Sequence, residues 1–135
     1  MTGAVGVWEH RPVGRTVVVV DDHAGFRALA ARLLTAAGWD VVASCPDGRS
    51  ALAAVEELRP DVVLLDVQLP DIDGFAVLAR LGEAEAGATE PGPTVVLVST
   101  RDAADYGTRI GRSGAAGFIG KADLSAGALA AVVGG

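Results

Sequence analysis

The sequence predicts an α/β fold: a doubly wound (βα)5 domain in which a five-stranded parallel sheet is covered by helices on both faces, in three layers. Three observations carry this expectation. Five short Val-rich or apolar runs recur along the chain: TVVVV (16–20), DVVAS (40–44), DVVLLD (61–66), TVVLVS (94–99) and GFIG (117–120). The runs are nearly continuous in apolar residues instead of alternating, as expected of strands buried on both faces of a parallel sheet. The segments between them place apolar residues at helical spacing, the alternation that builds such a fold.

The elements follow in order. Residues 1–15 (MTGAVGVWEHRPVGR) mix Gly, Pro and charge without periodicity. They read as a mobile leader, with Trp8 and His10 as tail residues and the domain proper over 16–135. After the first strand, Phe26, Leu29, Leu33, Leu34 and Ala37 recur at helical spacing, and Gly38 supplies a stop. Ala51, Leu52, Val55 and Leu58 predict a second helix that ends before Pro60. Phe75, Leu78 and Leu81 predict a third, residues 103–113 a weaker fourth, and Leu124 to Val133 a short fifth.

Composition narrows the function. A chain of 135 residues, 50% hydrophobic and 21% charged, fits one folded domain. A net charge of −6 argues against nucleic-acid binding by this chain, which needs clustered Lys and Arg. Cys45 is the single cysteine, so it reads as a reduced, buried side chain with no disulfide partner and no thiolate metal site. No run approaches the ~18 apolar residues of a membrane span, and residues 1–15 show no basic region followed by an apolar one. The expected location is cytoplasmic, with no membrane association.

In a parallel α/β sheet, ligands sit beyond the carboxyl ends of the strands. Asp21 and Asp22 end the first strand, Asp66 the third and Ser99 the fourth, while Lys121 follows the fifth. Two unit charges about 4 Å apart repel by about 4 kcal/mol at an effective dielectric near 20. Three carboxylates on one rim therefore call for a cation. Oxygen ligands select a hard ion, Mg²⁺ or Mn²⁺, and magnesium commonly completes its shell with phosphate oxygens. Lys121 offers a point charge for phosphate and Ser99 a hydroxyl donor. Such a rim suits aspartyl phosphate chemistry.

The motifs VVVVDDH, LLDVQLPDIDGF, LVST and GAAGFIGKAD resemble those of the receiver domains of two-component response regulators, over roughly residues 16–133. Asp66 follows Asp22 by 44 positions and Lys121 follows Ser99 by 22, as in that family. The resemblance implies the flavodoxin-like strand order 2-1-3-4-5. It implies that Asp66 takes a phosphoryl group from a histidine kinase, and that Asp21, Asp22, Asp66 and the backbone carbonyl of Gln68 hold Mg²⁺. Lys121 would pair with the phosphate or with Asp66, while Ser99 and Phe118 would move together as a switch. Pro70 and Gly74 match the turn after the acceptor strand. Gln68 and Arg101 are expected to flank the path of an attacking water and tune dephosphorylation. A downstream protein or fused output domain is the implied target, with a homodimer through the fourth helix, fifth strand and fifth helix as one arrangement.

Several residues have plainer readings. Asp66 alone would be a helix cap or loop carboxylate; the four partners at matching spacing make it a nucleophile. His23 starts a helix and reads as an exposed polar residue. GRSGAAG (111–117) is no dinucleotide fingerprint, and DIDG (71–74) lies too far beyond its strand for an aspartate-nucleophile phosphatase. Ala122 stands where many receivers carry a cis proline, so a trans bond or a rearranged loop is expected there. That variation occurs in the branch with helix-turn-helix output, and the chain reads as a stand-alone receiver or as part of such a regulator. The alternatives are a degenerate receiver acting as a dimerisation or docking module, and a Mg²⁺-dependent phosphatase.

Overall fold

Every Val-rich run forms a strand in the computed structural model, which describes residues 15–134. The elements are β1 (Thr16–Val20), α1 (Ala24–Ala36), β2 (Asp40–Cys45), α2 (Gly48–Leu58) and β3 (Val62–Asp66). They continue with α3 (Gly74–Ala86), β4 (Thr94–Ser99), α4 (Arg109–Arg112), β5 (Gly117–Gly120) and α5 (Ala126–Val133). The sheet order is β2-β1-β3-β4-β5 and every pairing is parallel. This is the flavodoxin-like order expected from the sequence.

Because side chains alternate across a strand, one valine run serves two cores. Val18, Val20, Val63, Leu65 and Leu97 face α2 and α3, where Ala51, Val55, Val77 and Leu81 meet them. Val17, Val19, Leu64, Val96 and Val98 face α1 and α5, where Ala30, Leu34 and Leu129 close the other side. Burying each such Val or Leu stabilises the fold by roughly 1.5–3 kcal/mol relative to exposure. The two cores clamp β1, β3 and β4 from both faces, which fixes where their carboxyl ends lie.

The helix boundaries follow from capping. The Asp47 carboxylate accepts the Ser50 amide (2.8 Å) to start α2, Asp73 accepts Ala76 N–H (2.8 Å) to start α3, and Ser125 Oγ accepts Ala128 N–H (3.0 Å) to start α5. Gly38 takes a positive φ of 98° just past α1, as a C-terminal stop requires. The second helix ends through Arg59, a non-glycine residue at φ 46°, ahead of Pro60.

Three details depart from the sequence reading. The buried stripe of α1 runs through Ala30 and Leu34, while Leu29 is 44% exposed. The third helix continues past Leu81 to Ala86. The weak fourth helix breaks into a 3-10 turn, Ala103–Tyr106, and a single α-turn, Arg109–Arg112. Gly107 at φ 58° separates the two, and Gly114 at φ 87° follows. The expected leader falls outside the described residues except for Arg15, whose carbonyl accepts the Asp40 amide (2.9 Å) and whose guanidinium lies 5.2 Å from the Trp39 ring centre. Cys45 is free and buried, and burial pushes its thiol pKa up.

Asp71, set aside in the sequence as half of a DxD pair, has a structural task. Its carboxylate accepts the amides of Gly48 (2.8 Å) and Arg49 (2.9 Å), anchoring the loop after β3 to the start of α2. Desolvation opposes its ionisation, but amide donors from Gly48, Arg49 and Ile72 outweigh it and lower the pKa to about 2. A carboxylate with a depressed folded pKa contributes stability that is complete above its unfolded value near 4 and lost as the pH falls. In Asp71→Asn, urea midpoints measured between pH 2 and pH 5 are expected to vary less steeply with pH than in the wild type, with lower stability at pH 5.

Candidate functional site

Four strand ends deliver the site. Asp21 follows β1 and is fully buried, Asp66 ends β3 at 3% exposure, and Ser99 ends β4 at 1%. Lys121 follows β5 with a side chain only 11% exposed. They are the buried polar end of an otherwise apolar sheet.

Lys121 joins the two buried carboxylates. Its Nζ lies 2.6 Å from Asp21 Oδ2 and 3.1 Å from Asp66 Oδ2, donating a hydrogen bond to the latter. The contact to Asp21 is an ion pair without hydrogen-bond alignment, so Asp21 Oδ2 is a buried oxygen with no hydrogen-bond partner. The remaining Asp21 oxygen accepts His23 N–H at 2.8 Å, and the Asp21 carbonyl accepts Arg27 Nη1 at 2.6 Å. Asp66 Oδ1 accepts Gln68 N–H at 3.2 Å. The Phe26 ring centre lies 4.9 Å from Lys121 Nζ, a cation–π contact.

Gly74 admits the end of β3. A Cβ at this position would stand 2.6 Å from the Asp66 carbonyl oxygen and 3.0 Å from Val67 Cα, so only glycine lets α3 begin this close. The Gly74 amide donates to Val67 O at 2.8 Å. The turn that matched the family in sequence therefore has a packing reason.

The electrostatics are those of a crowded acidic site. Burial raises the Asp66 pKa, repulsion from Asp21 adds to it, and the Gln68 amide and Lys121 only partly oppose the shift. Burial works against the charged form of Lys121, but its contacts with Asp21 and Asp66 more than offset this and raise its pKa.

The donor set fits a hard divalent cation. Asp21, Asp22, His23 and Asp66 each offer one ligand atom, all within 4.8 Å of one another. Two oxygens on one Mg²⁺ at about 2.1 Å can lie at most about 4.2 Å apart, so small movements, or an intervening water, bring these carboxylates to it. Asp21 Oδ2, buried and held only by the Lys121 ammonium at 2.6 Å, keeps lone pairs that a cation could take. His23 is exposed as the sequence suggested, yet its Nδ1 lies 3.1 Å from Asp22 Oδ1 and 3.3 Å from Asp21 Oδ1.

The other expected residues are placed more loosely. Gln68 and Arg101 are exposed, each two residues beyond the polar end of neighbouring strands β3 and β4. Phe118 is half-buried on edge strand β5. Every peptide bond among the described residues is trans, as expected with Ala122 after the lysine, and Lys121–Asp123 form a 3-10 turn there. Sequence reasoning missed Arg27, Phe26 and Tyr106. Tyr106, the single tyrosine, places its hydroxyl 2.6 Å from Ser99 Oγ. Only its place in the weak fourth helix could have drawn notice.

A five-stranded parallel sheet in this order, with carboxylates, a hydroxyl and a lysine gathered at its carboxyl rim, is the architecture of a phosphoacceptor signalling module. The family model for the response regulator receiver domain matches residues 17–132, and the chain belongs to that family. It is thus a phosphoacceptor domain of two-component signalling. It is 40% identical over 90 residues to the probable transcriptional regulatory protein TcrX of Mycobacterium tuberculosis, covering 67% of this chain and 36% of that protein. It is 36% identical over 108 residues to a protein-glutamate methylesterase/protein-glutamine glutaminase of Archaeoglobus fulgidus, covering 79% of this chain and 30% of that protein. The chain therefore spans about a third of the length of these curated relatives. Among solved structures, the signal receiver domain of the M. tuberculosis response regulator NarL aligns at TM-score 0.78 and 32% identity, covering 92% of this chain and all of that one.

The bridging ammonium generates a prediction. Lys121→Met leaves two buried carboxylates without their counter-charge, and in chelator it is expected to lose about 3 kcal/mol in urea unfolding. Adding Asp66→Asn, which removes one of those charges, should restore part of the loss.

Proposed function

We propose that Asp66 is the phosphoryl acceptor of this receiver and that Asp21, Asp22, Asp66 and the backbone carbonyl of Gln68 hold Mg²⁺, or Mn²⁺, during the transfer. The observation that carries this reading is the Lys121 ammonium set between Asp21 and Asp66 at 2.6 and 3.1 Å, at the buried ends of two adjacent strands.

An Asp66 carboxylate oxygen attacks the phosphorus of a phosphohistidine on a histidine kinase. The new O–P bond forms as the N–P bond breaks, and the electron pair and then a proton go to the departing imidazole. When bound, the cation neutralises charge on the transferring phosphoryl oxygens. Lys121, already within hydrogen-bond distance of Asp66, donates to a phosphoryl oxygen and balances its added charge. Ser99, at the end of the neighbouring strand, turns its hydroxyl toward the same group, and Phe118 reorients in step. Desolvation of Asp66 keeps its carboxylate basic and thereby more nucleophilic.

The target is a downstream protein or an output domain fused to this receiver, as transcriptional and methylesterase relatives both carry further sequence. Catalysis is limited to the domain's own phosphorylation and dephosphorylation. A homodimer through α4, β5 and α5 is one form the activated surface takes. Membership of the family supports a cytoplasmic setting, beside the kinase's catalytic part; no helix among the described residues is long and apolar enough to cross a membrane.

Incubation with acetyl phosphate and Mg²⁺ is expected to add one phosphoryl group by intact mass to the wild type and none to Asp66→Asn. An equal gain in the variant, or none in the wild type, would overturn the assignment. Gln68 and Arg101 occupy matching positions beyond β3 and β4, flanking the approach of water to Asp66. Substituting either with Ala should change the half-life of the phosphorylated protein several-fold, followed by the decay of that mass; an unchanged half-life removes the rate-tuning role.

A further inference from the structure

Ser99 must turn toward the phosphoryl group if it is to act, yet its hydroxyl is already engaged. It is almost fully buried, accepts Arg101 N–H at 3.0 Å, and shares a hydrogen bond with the Tyr106 hydroxyl at 2.6 Å. A serine hydroxyl has one proton and two lone pairs: with one lone pair on the Arg101 amide and Ser99 as the donor to Tyr106, its single proton is spent, and serving a phosphoryl oxygen means giving up the tyrosine.

Tyr106 is held firmly where it meets Ser99. Its ring stands edge-on to Phe75, at the first turn of α3, with centroids 5.7 Å apart, and lies 6.0 Å from the ring of Phe118 on β5. Arg109 then stacks over Phe75 at 4.1 Å, fastening the single turn of α4 to the same aromatic group. The tyrosine thus touches both residues that the receiver reading makes the switch.

We propose that Tyr106 is a positioning residue that latches the Ser99 hydroxyl in its unphosphorylated orientation and transmits the breaking of that bond to Phe118. The inference rests on Asp66 being the acceptor and Ser99 the hydroxyl that meets the phosphoryl group. When Ser99 turns, the hydroxyl of half-buried Tyr106 loses its partner and turns to water, which moves the 3-10 turn and takes away the ring that Phe118 packs against. A neutral hydrogen bond of ordinary net strength shifts such an equilibrium by about five-fold.

The test titrates beryllofluoride, with Mg²⁺ in excess, into wild type and Tyr106→Phe and follows amide chemical shifts. Tyr106→Phe keeps the ring, removes the latch and is expected to bind about five-fold more tightly, its free-state Phe118 amide already displaced toward the activated position. In a Ser99→Ala background the same substitution should change nothing. Equal or weaker binding, or an equal effect without Ser99, overturns the latch. A wild type that takes up no beryllofluoride overturns the acceptor reading and the latch with it. If Tyr106→Phe does not fold, 3-fluorotyrosine in the wild type reports the single tyrosine directly, and a fluorine resonance unmoved by saturating beryllofluoride overturns the proposal.

Discussion

One ammonium group holds the functional end of this domain together. Asp21 and Asp66 leave neighbouring strands as buried carboxylates, and unshielded they would repel by several kcal/mol. Lys121 reaches both from the far side of the sheet, across β4. It also leaves the rim negative, since Lys121 and the Arg27 guanidinium set two positive charges against the three carboxylates of Asp21, Asp22 and Asp66. The arrangement is stable enough to persist and acidic enough to draw a further cation and, with it, phosphate.

The sheet makes such a concentration tolerable. Two cores grip the central strands from opposite faces, so their carboxyl ends cannot splay apart to relieve the repulsion. The same rigidity appears where α3 starts against the Asp66 backbone, at a separation that admits no side chain at Gly74. Asp71 then pins the intervening loop to α2 through two amides. Asp66 is thus fixed from behind by packing and beside it by hydrogen bonds, leaving only its solvent side for chemistry.

Most of this was legible in the sequence because it lies on regular elements. Continuous valine runs specify a parallel sheet, and a parallel sheet specifies one rim for Asp21, Asp66, Ser99 and Lys121. The residues that escaped lie where periodicity carries little information. Tyr106 sits in a 3-10 turn broken by Gly107, so no spacing rule pointed its hydroxyl toward Ser99. Arg27 lies off the apolar positions that marked the first helix, and its reach to the Asp21 carbonyl depends on how α1 docks. Asp71 was weighed as chemistry because carboxylate motifs invite that reading; its partners are backbone amides in another helix, which no local pattern encodes. Leu29 fitted the helical stripe but lies on its margin, where a long side chain reaches solvent.

The broken fourth helix has a kinetic consequence. Neither its 3-10 turn nor its single α-turn is long enough to be stable alone, so both hold their shape through side-chain contacts with Phe75 and Ser99. Such a segment rearranges by local opening, without disturbing either core, on a microsecond-to-millisecond scale. In the proposed switch, breaking an acyl phosphate bond is slower, so the surface would relax as soon as the covalent mark is gone. How long the message lasts is then a matter of hydrolysis chemistry at the rim, and the moving part keeps no memory of its own.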